Sequence, residues 1–388
     1  MTFEPIWSGI IACYLFLGGL GGGAFATSAF LAWRHPEAVN MRKIGHIIAP
    51  IVVIIGLVLL MFDAKAGITN PLRFALLLTN FGSVMTWGVV FLAVFLVASF
   101  VAFLLDILKH YDKFHGEVPM WIELIGAVAG ICVAIYTGCL LGVCKTFPLW
   151  NNALLPVLFF VSAMSTGMAS VLLAAVFRHP DEFNQMGTLK KIHYIFPVVE
   201  MFLVASLLAV TATVNDAGAA SVAALVSGKY AIAFWLLFVL IGLIVPVATE
   251  TRLLFFSSKE FEESSLAHTV SAVSDITVLV GGFVLRLLVL LAAVPLTIAV
   301  ATAAATAWAA QTPLAWWLTS ASRLASSLAR SVSPAQTMPT GAIRMHAPSE
   351  DAYTLRRPDS GGIMPRFRLA AASISLLPPL GKSSWFAI

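Results

Sequence analysis

The sequence predicts an all-α polytopic membrane protein with eight transmembrane helices. Of its 388 residues 60% are hydrophobic and 11% are charged, and the mean hydropathy is +0.93. Long runs without Asp, Glu, Lys or Arg recur along the chain, for example 5–33, 74–105 and 146–177. A soluble protein of this length has no means of burying so much apolar surface. About 20 apolar residues cross the hydrocarbon core as a helix, which satisfies its own backbone there.

The apolar runs place the spans in order along the chain. The first run lacks a basic n-region and is long enough to span, so we expect the first helix there and not a cleavable signal peptide. The eight expected spans are 6–33, 44–62, 81–105, 121–143, 153–177, 192–214, 230–250 and 269–294.

An internal repeat relates the first four spans to the last four. The letters RHPE follow the first span at 34–37, and RHPD follows the fifth at 178–181. A His-x-x-x-Pro pattern comes after each, beginning at His46 and at His193. A shift of four spans preserves the direction of the chain, so the repeat predicts two parallel four-helix bundles packed side by side.

The composition divides the chain into three parts. We expect a first membrane repeat at 1–150, a second at 151–299 and a disordered or atypical tail at 300–388. In the tail Ala, Ser, Thr, Pro and Arg dominate, as is typical of segments that cannot form a packed core. Residues 287–322 carry no charge, so the alternative is that the tail begins with a ninth span near 300–320.

Basic residues in the loops predict the orientation. With the N-terminus outside, the inner loops carry ten Lys or Arg and the outer loops carry four, which satisfies the positive-inside rule. We therefore expect a multi-pass protein of the cell (inner) membrane with its N-terminus outside. The inner set is Arg34, Arg42, Lys43, Lys109, Lys113, Arg178, Lys190, Lys191, Arg252 and Lys259, and the outer set is Lys65, Arg73, Lys145 and Lys229.

Cysteines and histidines give no clear metal motif. The four cysteines form no C-x-x-C pair, which argues against an iron–sulfur or zinc motif in this chain. Cys139 and Cys144 form a disulfide if their loop lies outside. The alternative is that they are ordinary small residues at the end of a span. Facing histidines suit a bis-histidine haem, but we interpret His46 and His193 as helix-terminal side chains that meet solvent or lipid phosphate.

Six segments resemble the NrfD/polysulfide-reductase membrane-subunit (PsrC-like) family. Their order and spacing carry the resemblance over residues 1 to about 295. The segments are YLFLGG at 14–19, Asp63 with PLRF at 71–74, S-x-M-x-W-G at 83–88, Y-x-G at 136–138, PLWN at 148–151 and GGF-x-x-R at 281–286.

The resemblance implies the membrane subunit of a respiratory oxidoreductase. Such a subunit oxidises menaquinol or ubiquinol near the outer face and holds neither haem nor an iron–sulfur cluster itself. Its electrons pass to a four-cluster ferredoxin-like subunit on the outer face, and on to a molybdenum enzyme or a multihaem cytochrome. Besides these subunits we expect contact with membrane lipid and none with nucleic acid. The protein is then not catalytic alone on the terminal substrate.

Two other classes stay open as alternatives. Parallel repeats also occur in secondary transporters, whose helices are usually broken near the midplane by Gly or Pro. We expect Pro50, Pro156 and Pro197 toward the ends of their spans. Pro246 interrupts a later span, again near its end, so the prolines argue against a transporter. The second alternative is a b-type cytochrome anchor.

A candidate quinone site lies at one depth near the outer face. Tyr14 and Tyr136 each fall about two turns below that surface, and Asp63 ends the second span there. By the resemblance, Tyr136 takes the place of the family's quinone-contacting tyrosine. Quinol oxidation needs hydrogen-bond partners and a proton acceptor, for which we predict the two phenols, Arg73 and the Asp63 carboxylate.

The loop after the fourth span adds Trp150 and Asn151 to the candidate cofactor-binding residues. Each either touches quinone, shapes a lid or docks the partner subunit. The alternative for the tyrosines is an ordinary interfacial belt, and the alternative for Asp63 with Arg73 is a surface ion pair.

Three acids fall within spans in the expected inner half. Ionisable groups inside the membrane are costly and suggest function. Glu123, Glu200 and Asp275 are therefore candidates for a proton route toward the quinone, with Arg286 closer to its outer end. The alternative is hydrogen bonding between helices, with Glu123 an interface residue.

Overall fold

The computed structural model of the protein describes residues 9–63, 77–111, 116–256 and 264–296. These residues contain no strand and include eight helices long and apolar enough to cross a membrane, which confirms the predicted fold class. The eight are α1 (Gly9–Arg34), α2 (Val39–Asp63), α3 (Val84–His110), α4 (Met120–Gly142), α5 (Leu154–Arg178), α6 (Gly187–Val214), α7 (Ala233–Phe256) and α8 (Ser265–Leu291). The tail expected at 300–388, with its alternative ninth span, lies outside the described residues.

Short helices connect some of the spans. A single turn at Leu77–Thr79 precedes α3, and Pro180–Gln185 lies between α5 and α6. A longer one, Asp216–Val226, follows α6 and is capped by Asn215, whose side-chain oxygen accepts a hydrogen bond from the backbone N–H of Gly218 at 2.8 Å. These elements were not predicted from the sequence, because they are too short for a periodic signal. The first half of α7, Ala233–Ile244, is π-helical.

The observed spans match the expected ones to within six residues at each end. The largest differences are that α3 and α7 end five and six residues later, and that α2 and α6 each begin five residues earlier. Both beginnings contain basic residues, which a helix accommodates at the membrane interface by extending their long side chains toward water. The beginning of α2 also has a dedicated partner in the segment after α5. There the Glu182 carboxylate accepts hydrogen bonds from the backbone N–H groups of Asn40 and Met41, at 3.3 and 2.9 Å.

Because α2 and α6 begin early, two prolines lie deeper than predicted. Pro50 is eleven residues into α2, and Pro197 is ten residues into α6. The expectation that both lie toward span ends was wrong. Both helices continue through the proline, but the position of these residues no longer argues against a transporter.

The described helices pack as two similar groups of four. In the first group α1 contacts α2 and α4, and α3 contacts α2 and α4. In the second, α5 contacts α6 and α8, and α7 contacts α6 and α8. Trp87 of α3 and Trp235 of α7, 148 residues apart, each donate the indole N–H to a backbone carbonyl of the segment before them. This arrangement is the one expected of a parallel repeat, while the boundaries near 150 and 300 stay a prediction.

The two groups meet where α1 crosses α5. Gly23 and Gly167, separated by the 144-residue offset of the RHP motifs, face each other at this crossing. A Cβ built on Gly23 would overlap the backbone carbonyl of Ala163 and lie 3.1 Å from the Cα of Gly167. Small residues let membrane helices approach closely, and van der Waals contact between backbones then stabilises the pair.

We predict that Gly23→Ala lowers the thermal stability of the detergent-purified protein. The added methyl group has no space, and overpacking of this kind costs about 1–3 kcal/mol. The matched control is Gly187→Ala, because a Cβ at Gly187 meets no atom within 4 Å. Differential scanning fluorimetry should show a lower Tm for the first variant only, and equal Tm values would contradict the α1–α5 contact.

Candidate functional site

Two phenols lie close together near the membrane side on which α1 begins, called the N-terminal side below. Tyr14 belongs to α1 and is 8% exposed. Tyr136 belongs to α4, is half-buried, and is near enough to Tyr14 for the two to interact electrostatically. The phenols are thus neighbours within the first helix group, on helices that pack directly against each other.

Small residues on α2 and α3 make room for the two rings. The ring of Tyr136 lies directly against Gly88, where any Cβ would overlap it. The ring of Tyr14 lies beside Gly56, with 3.6 Å between its Cδ2 atom and the position of a Cβ there. All four helices of the first group therefore shape the surroundings of the phenols, and Gly88 gives a structural reason for the glycine that ends the S-x-M-x-W-G motif.

The acid predicted for the same site lies on the same side. Asp63 is the last residue of α2 and is half-buried. Arg73 lies outside the described residues, so its predicted role as a hydrogen-bond donor to quinone stays a prediction. The structure thus brings Tyr14 and Tyr136 together and places Asp63 at the end of the helix beside Tyr14.

Trp150 and Asn151 each make a defined hydrogen bond in the loop after α4. Trp150 is 2% exposed, stacks on Phe147 and donates its indole N–H to the carbonyl of Val289 in α8 at 2.7 Å. Asn151 is exposed, and its amide donates to the carbonyl of Gly142 at the end of α4. These bonds fix the loop across both helix groups, and a role of either residue in quinone binding stays a prediction.

The cysteines of the described residues are all free thiols. Cys139 and Cys144 are therefore ordinary residues in this structure and do not form a disulfide. Burial raises the pKa of the Cys144 thiol, which lies just beyond the end of α4. A raised pKa lowers the thiolate fraction and with it the reactivity of this side chain.

On the opposite side of the membrane, His46 is the centre of a buried charge cluster. Its Nδ1 lies 2.6 Å from a carboxylate oxygen of Asp106 in α3, and its Nε2 lies 3.0 Å from one of Glu123 in α4. The three residues are 0%, 7% and 0% exposed. We call them the first cluster. The expectation that His46 meets solvent or lipid phosphate was wrong, because three helices enclose it.

His193 is the centre of an equivalent group, the second cluster, with Glu250 of α7 and Asp275 of α8. These residues are 1%, 5% and 1% exposed, so the solvent-facing interpretation was wrong for His193 as well. The His193 Nε2 lies 3.3 Å from Asp275 Oδ1, without hydrogen-bond geometry. The Glu250 carboxylate accepts a hydrogen bond from Ser274 at 3.3 Å.

Asp106 and Glu250 were missed at the level of sequence, although a signal was present. Both acids follow long charge-free runs, at the ends of the expected spans 81–105 and 230–250. They lie on equivalent helices of the two repeats, α3 and α7, which was the available signal. Their separation of 144 residues is one helical turn less than the 148 between Trp87 and Trp235 on the same helices, so the repeat does not align them exactly.

Glu200 and Arg286 form a third buried group with Ser162 of α5. Arg286 is 0% exposed and donates from Nη1 to the Ser162 hydroxyl at 3.1 Å and to the Gly282 carbonyl at 2.7 Å. Its guanidinium lies between the rings of Phe16 and Phe159. Glu200, which is 4% exposed, contacts the same serine and interacts electrostatically with the guanidinium of Arg286. The three acids predicted as one constellation, Glu123, Glu200 and Asp275, therefore belong to three groups.

Comparison with known proteins identifies the family. The family described as "Polysulphide reductase, NrfD" matches residues 1–299. The protein belongs to the NrfD family. One component of the polysulfide reductase of Wolinella succinogenes is 32% identical over 270 residues, which cover 64% of this sequence and 84% of the relative. Protein NrfD of Escherichia coli K12 is 30% identical over 269 residues, covering 62% and 83% of the two sequences.

A third relative is a component of a different reductase. One component of the tetrathionate reductase of Salmonella typhimurium is 27% identical over 168 residues, which cover 42% of this sequence and 47% of the relative. Together with the eight apolar helices, membership in the NrfD family identifies this protein as a multi-pass membrane subunit of a respiratory oxidoreductase.

The geometry of His46 also bears on the alternative of a b-type cytochrome. Iron in a bis-histidine haem needs one nitrogen from each of two facing imidazoles. Both nitrogens of His46 contact carboxylates, and His193 lies in a different cluster on other helices. The arrangement of these two histidines therefore does not suit a shared haem.

We predict that Asp106→Ala strongly destabilises the protein. Removal of one partner from a buried ion pair leaves an uncompensated charge, which typically costs about 3–5 kcal/mol. The Tm of the detergent-purified protein should fall markedly, and Asp106→Asn should be milder because the amide still offers a hydrogen bond.

The control for this prediction is Glu37→Ala. Glu37 forms an exposed pair with His35 at 3.0 Å, and hydrogen bonds from its own backbone N–H and from His35 lower the pKa of its carboxyl. An exposed pair adds little to stability, so this variant should keep the wild-type Tm. An Asp106→Ala protein as stable as the Glu37→Ala protein would show that the first cluster is not an ion pair.

Proposed function

We propose that the protein binds quinol between Tyr14 and Tyr136 and passes its electrons to a partner subunit. The observation that carries the proposal is the pair of neighbouring phenols, half-buried to buried, on packed helices near one membrane surface. A quinol headgroup has two ring oxygens that need hydrogen-bond partners. An apolar bundle offers such partners at few places, and phenols supply them without the cost of a buried charge.

Oxidation of quinol releases two protons, and Asp63 is the proposed acceptor. Its carboxylate ends α2 on the side of the phenols and is half-buried, so it can exchange protons with water. Arg73, ten residues further on, is proposed to hold the headgroup or the carboxylate in place. Trp150 and Asn151 complete the proposed surroundings by fixing the adjacent loop.

The N-terminal side is proposed to be the outer face of the inner membrane. The proposal rests on the ten basic residues assigned to one set of loops against four on the other. A soluble subunit with four iron–sulfur clusters would dock on this face and carry electrons to a molybdenum enzyme or multihaem cytochrome. Two of the relatives are single components of larger reductases, which supports an assembly with other subunits.

Removal of either phenolic hydroxyl should slow quinol oxidation. We predict that Tyr136→Phe lowers kcat/KM for a soluble quinol analogue at least tenfold in the assembled complex, because the ring stays packed on Gly88 while the hydrogen bond is lost. Tyr14→Phe should act in the same direction.

The control is Tyr194→Phe, which removes a phenol on the opposite side, where its hydroxyl is bonded to Thr251 at 3.3 Å. Quenching of the fluorescent quinone analogue 2-heptyl-4-hydroxyquinoline N-oxide should separate loss of quinone binding from loss of partner docking. Wild-type rates and wild-type affinity for the analogue in both variants at 14 and 136 would contradict the proposal.

A second part of the proposal is a proton route through the other helix group. His193 and Glu200 lie seven residues apart on α6, so they project from nearly the same face with about 10 Å between them along the axis. Glu200 is connected through Ser162 to Arg286, whose guanidinium lies on the ring of Phe16, two residues from Tyr14. The second cluster and Glu200 are thus proposed stages between the inner side and the quinone. Glu123 is proposed to take part through the first cluster.

Glu200→Gln should lower the number of protons moved per electron while quinol oxidation continues. Glutamine keeps the shape and a hydrogen bond to Ser162 but carries no exchangeable charge. The measurement is the proton-to-electron ratio of the complex in proteoliposomes. The matched control is Glu117→Gln, which removes an exposed acid paired with Arg42 at 3.4 Å. An unchanged ratio in the Glu200 variant would exclude it from the route.

A further inference from the structure

A pocket with a mixed polar and apolar lining borders the second cluster, on the side of the membrane opposite the two phenols. Its volume is about 230 Å³, and it lies among the ends of α6, α7 and α8. Lys190 and Lys191 line it together with Asn184, Ser271 and Glu250. Because Glu250 lines the pocket and also belongs to the second cluster, a small solute in the pocket would lie next to the cluster.

The side chains of the second cluster are close enough to share a metal ion. One atom each from His193, Glu250 and Asp275 lies within 4.8 Å of the other two. Zinc bonds of about 2.0–2.2 Å to nitrogen and oxygen, at tetrahedral angles, place neighbouring ligand atoms about 3.3–3.6 Å apart. The separation of His193 Nε2 from Asp275 Oδ1, 3.3 Å, falls in this range. The pocket then offers the direction from which a fourth ligand, a water molecule, can approach.

Several polar atoms of this cluster have no hydrogen-bond partner among the described residues. They are Nδ1 and Nε2 of His193 and both carboxylate oxygens of Asp275, all buried. Buried polar atoms are nearly always satisfied, so such a group indicates a missing ion or solvent molecule. An imidazole and two carboxylates form a donor set that suits divalent transition metals such as Zn²⁺.

The first cluster shows what the same residue types do when they satisfy each other. Both ring nitrogens of His46 lie at hydrogen-bond distance from Asp106 and Glu123. The imidazole itself therefore occupies the centre of the first cluster. The second cluster differs, because the approach of His193 Nε2 to Asp275 Oδ1 is 3.3 Å and lacks hydrogen-bond geometry.

We propose that His193, Glu250 and Asp275 bind one divalent transition metal ion of the zinc type, which enters through the pocket beside Lys190. Two carboxylates, a neutral imidazole and a doubly charged ion sum to zero charge, which suits a site inside the membrane. The proposal stands independently of quinol oxidation, since metal binding is measured directly. An ion bound here would take the place of protons on these side chains, so it would interrupt the proposed proton route at the second cluster.

Lys190 opposes the metal and provides a discriminating test. Its ammonium lies 3.8 Å from the centre of the Phe183 ring and attracts the carboxylates of Glu250 and Asp275. If the acids bind a metal ion, Lys190→Gln should tighten metal binding because a repulsive charge is removed. If Lys190 and a protonated His193 neutralise the acids without any ion, the same variant should bind no metal.

The experiment uses the detergent-purified protein, first stripped with a chelator and then equilibrated with zinc at about neutral pH, where binding of the metal can displace a proton from the His193 ring into solvent. Calorimetry and elemental analysis should give one tightly bound zinc ion per protein molecule, and the zinc-edge X-ray absorption spectrum should show one imidazole with oxygen ligands. The variants His193→Ala and Asp275→Asn should weaken binding at least tenfold. The control His179→Ala removes a half-buried histidine on the same side of the membrane and should leave binding unchanged.

Three results would overturn the proposal: no tight zinc in the wild-type protein, equal affinity in the His193 and Asp275 variants, or a spectrum with sulfur ligands or without imidazole. The spectrum is recorded on the wild-type protein, so it decides the question even if a cluster variant fails to fold. A rise in Tm with zinc in wild type, absent in Glu250→Gln, would be a further result in favour.

Discussion

Charged side chains inside the membrane-spanning helices have no water around them, so each needs an opposite charge or a hydrogen-bond partner. The described helices meet this requirement by gathering their buried charges into groups. The two histidine-centred clusters lie toward one side of the membrane, and Glu200 and Arg286 share Ser162 between them. The other side keeps the uncharged phenols of Tyr14 and Tyr136. This separation of charge from phenols underlies both the stability of the bundle and its proposed chemistry.

The repeat explains why the groups are similar, and the differences between the repeats explain why they are not identical. Gly23 and Gly167 at the crossing of α1 and α5 are 144 residues apart, the offset of the RHP motifs. Asp106 and Glu250 lie on the equivalent helices α3 and α7, one helical turn out of exact register. Similar helix packing therefore places one acid beside each histidine. The first group holds the two neighbouring phenols, whereas the second holds the pocket that leads to Glu250. The two helix groups thus carry two different proposed sites.

Much of this fold could be predicted from the sequence, because the thickness of the bilayer fixes the length of an apolar helix. The starts of α2 and α6 could not, since basic residues tolerate either a loop or a helix end at the interface. The equal depth of Tyr14 and Tyr136 followed from their positions along α1 and α4. The two phenols are close only because α1 and α4 pack together, and residue spacing along one helix cannot predict which helices pack together. The partners of His46 were missed for the same reason, because they come from α3 and α4.

Quinone binding between the two phenols can be tested by a cryo-EM map of the assembled complex with a bound quinone or 2-heptyl-4-hydroxyquinoline N-oxide. We expect density for the headgroup between helices α1 to α4, within hydrogen-bond distance of the hydroxyl groups of Tyr14 and Tyr136. A headgroup held by α5 to α8, or phenols that point away from it into lipid, would contradict this location of the site.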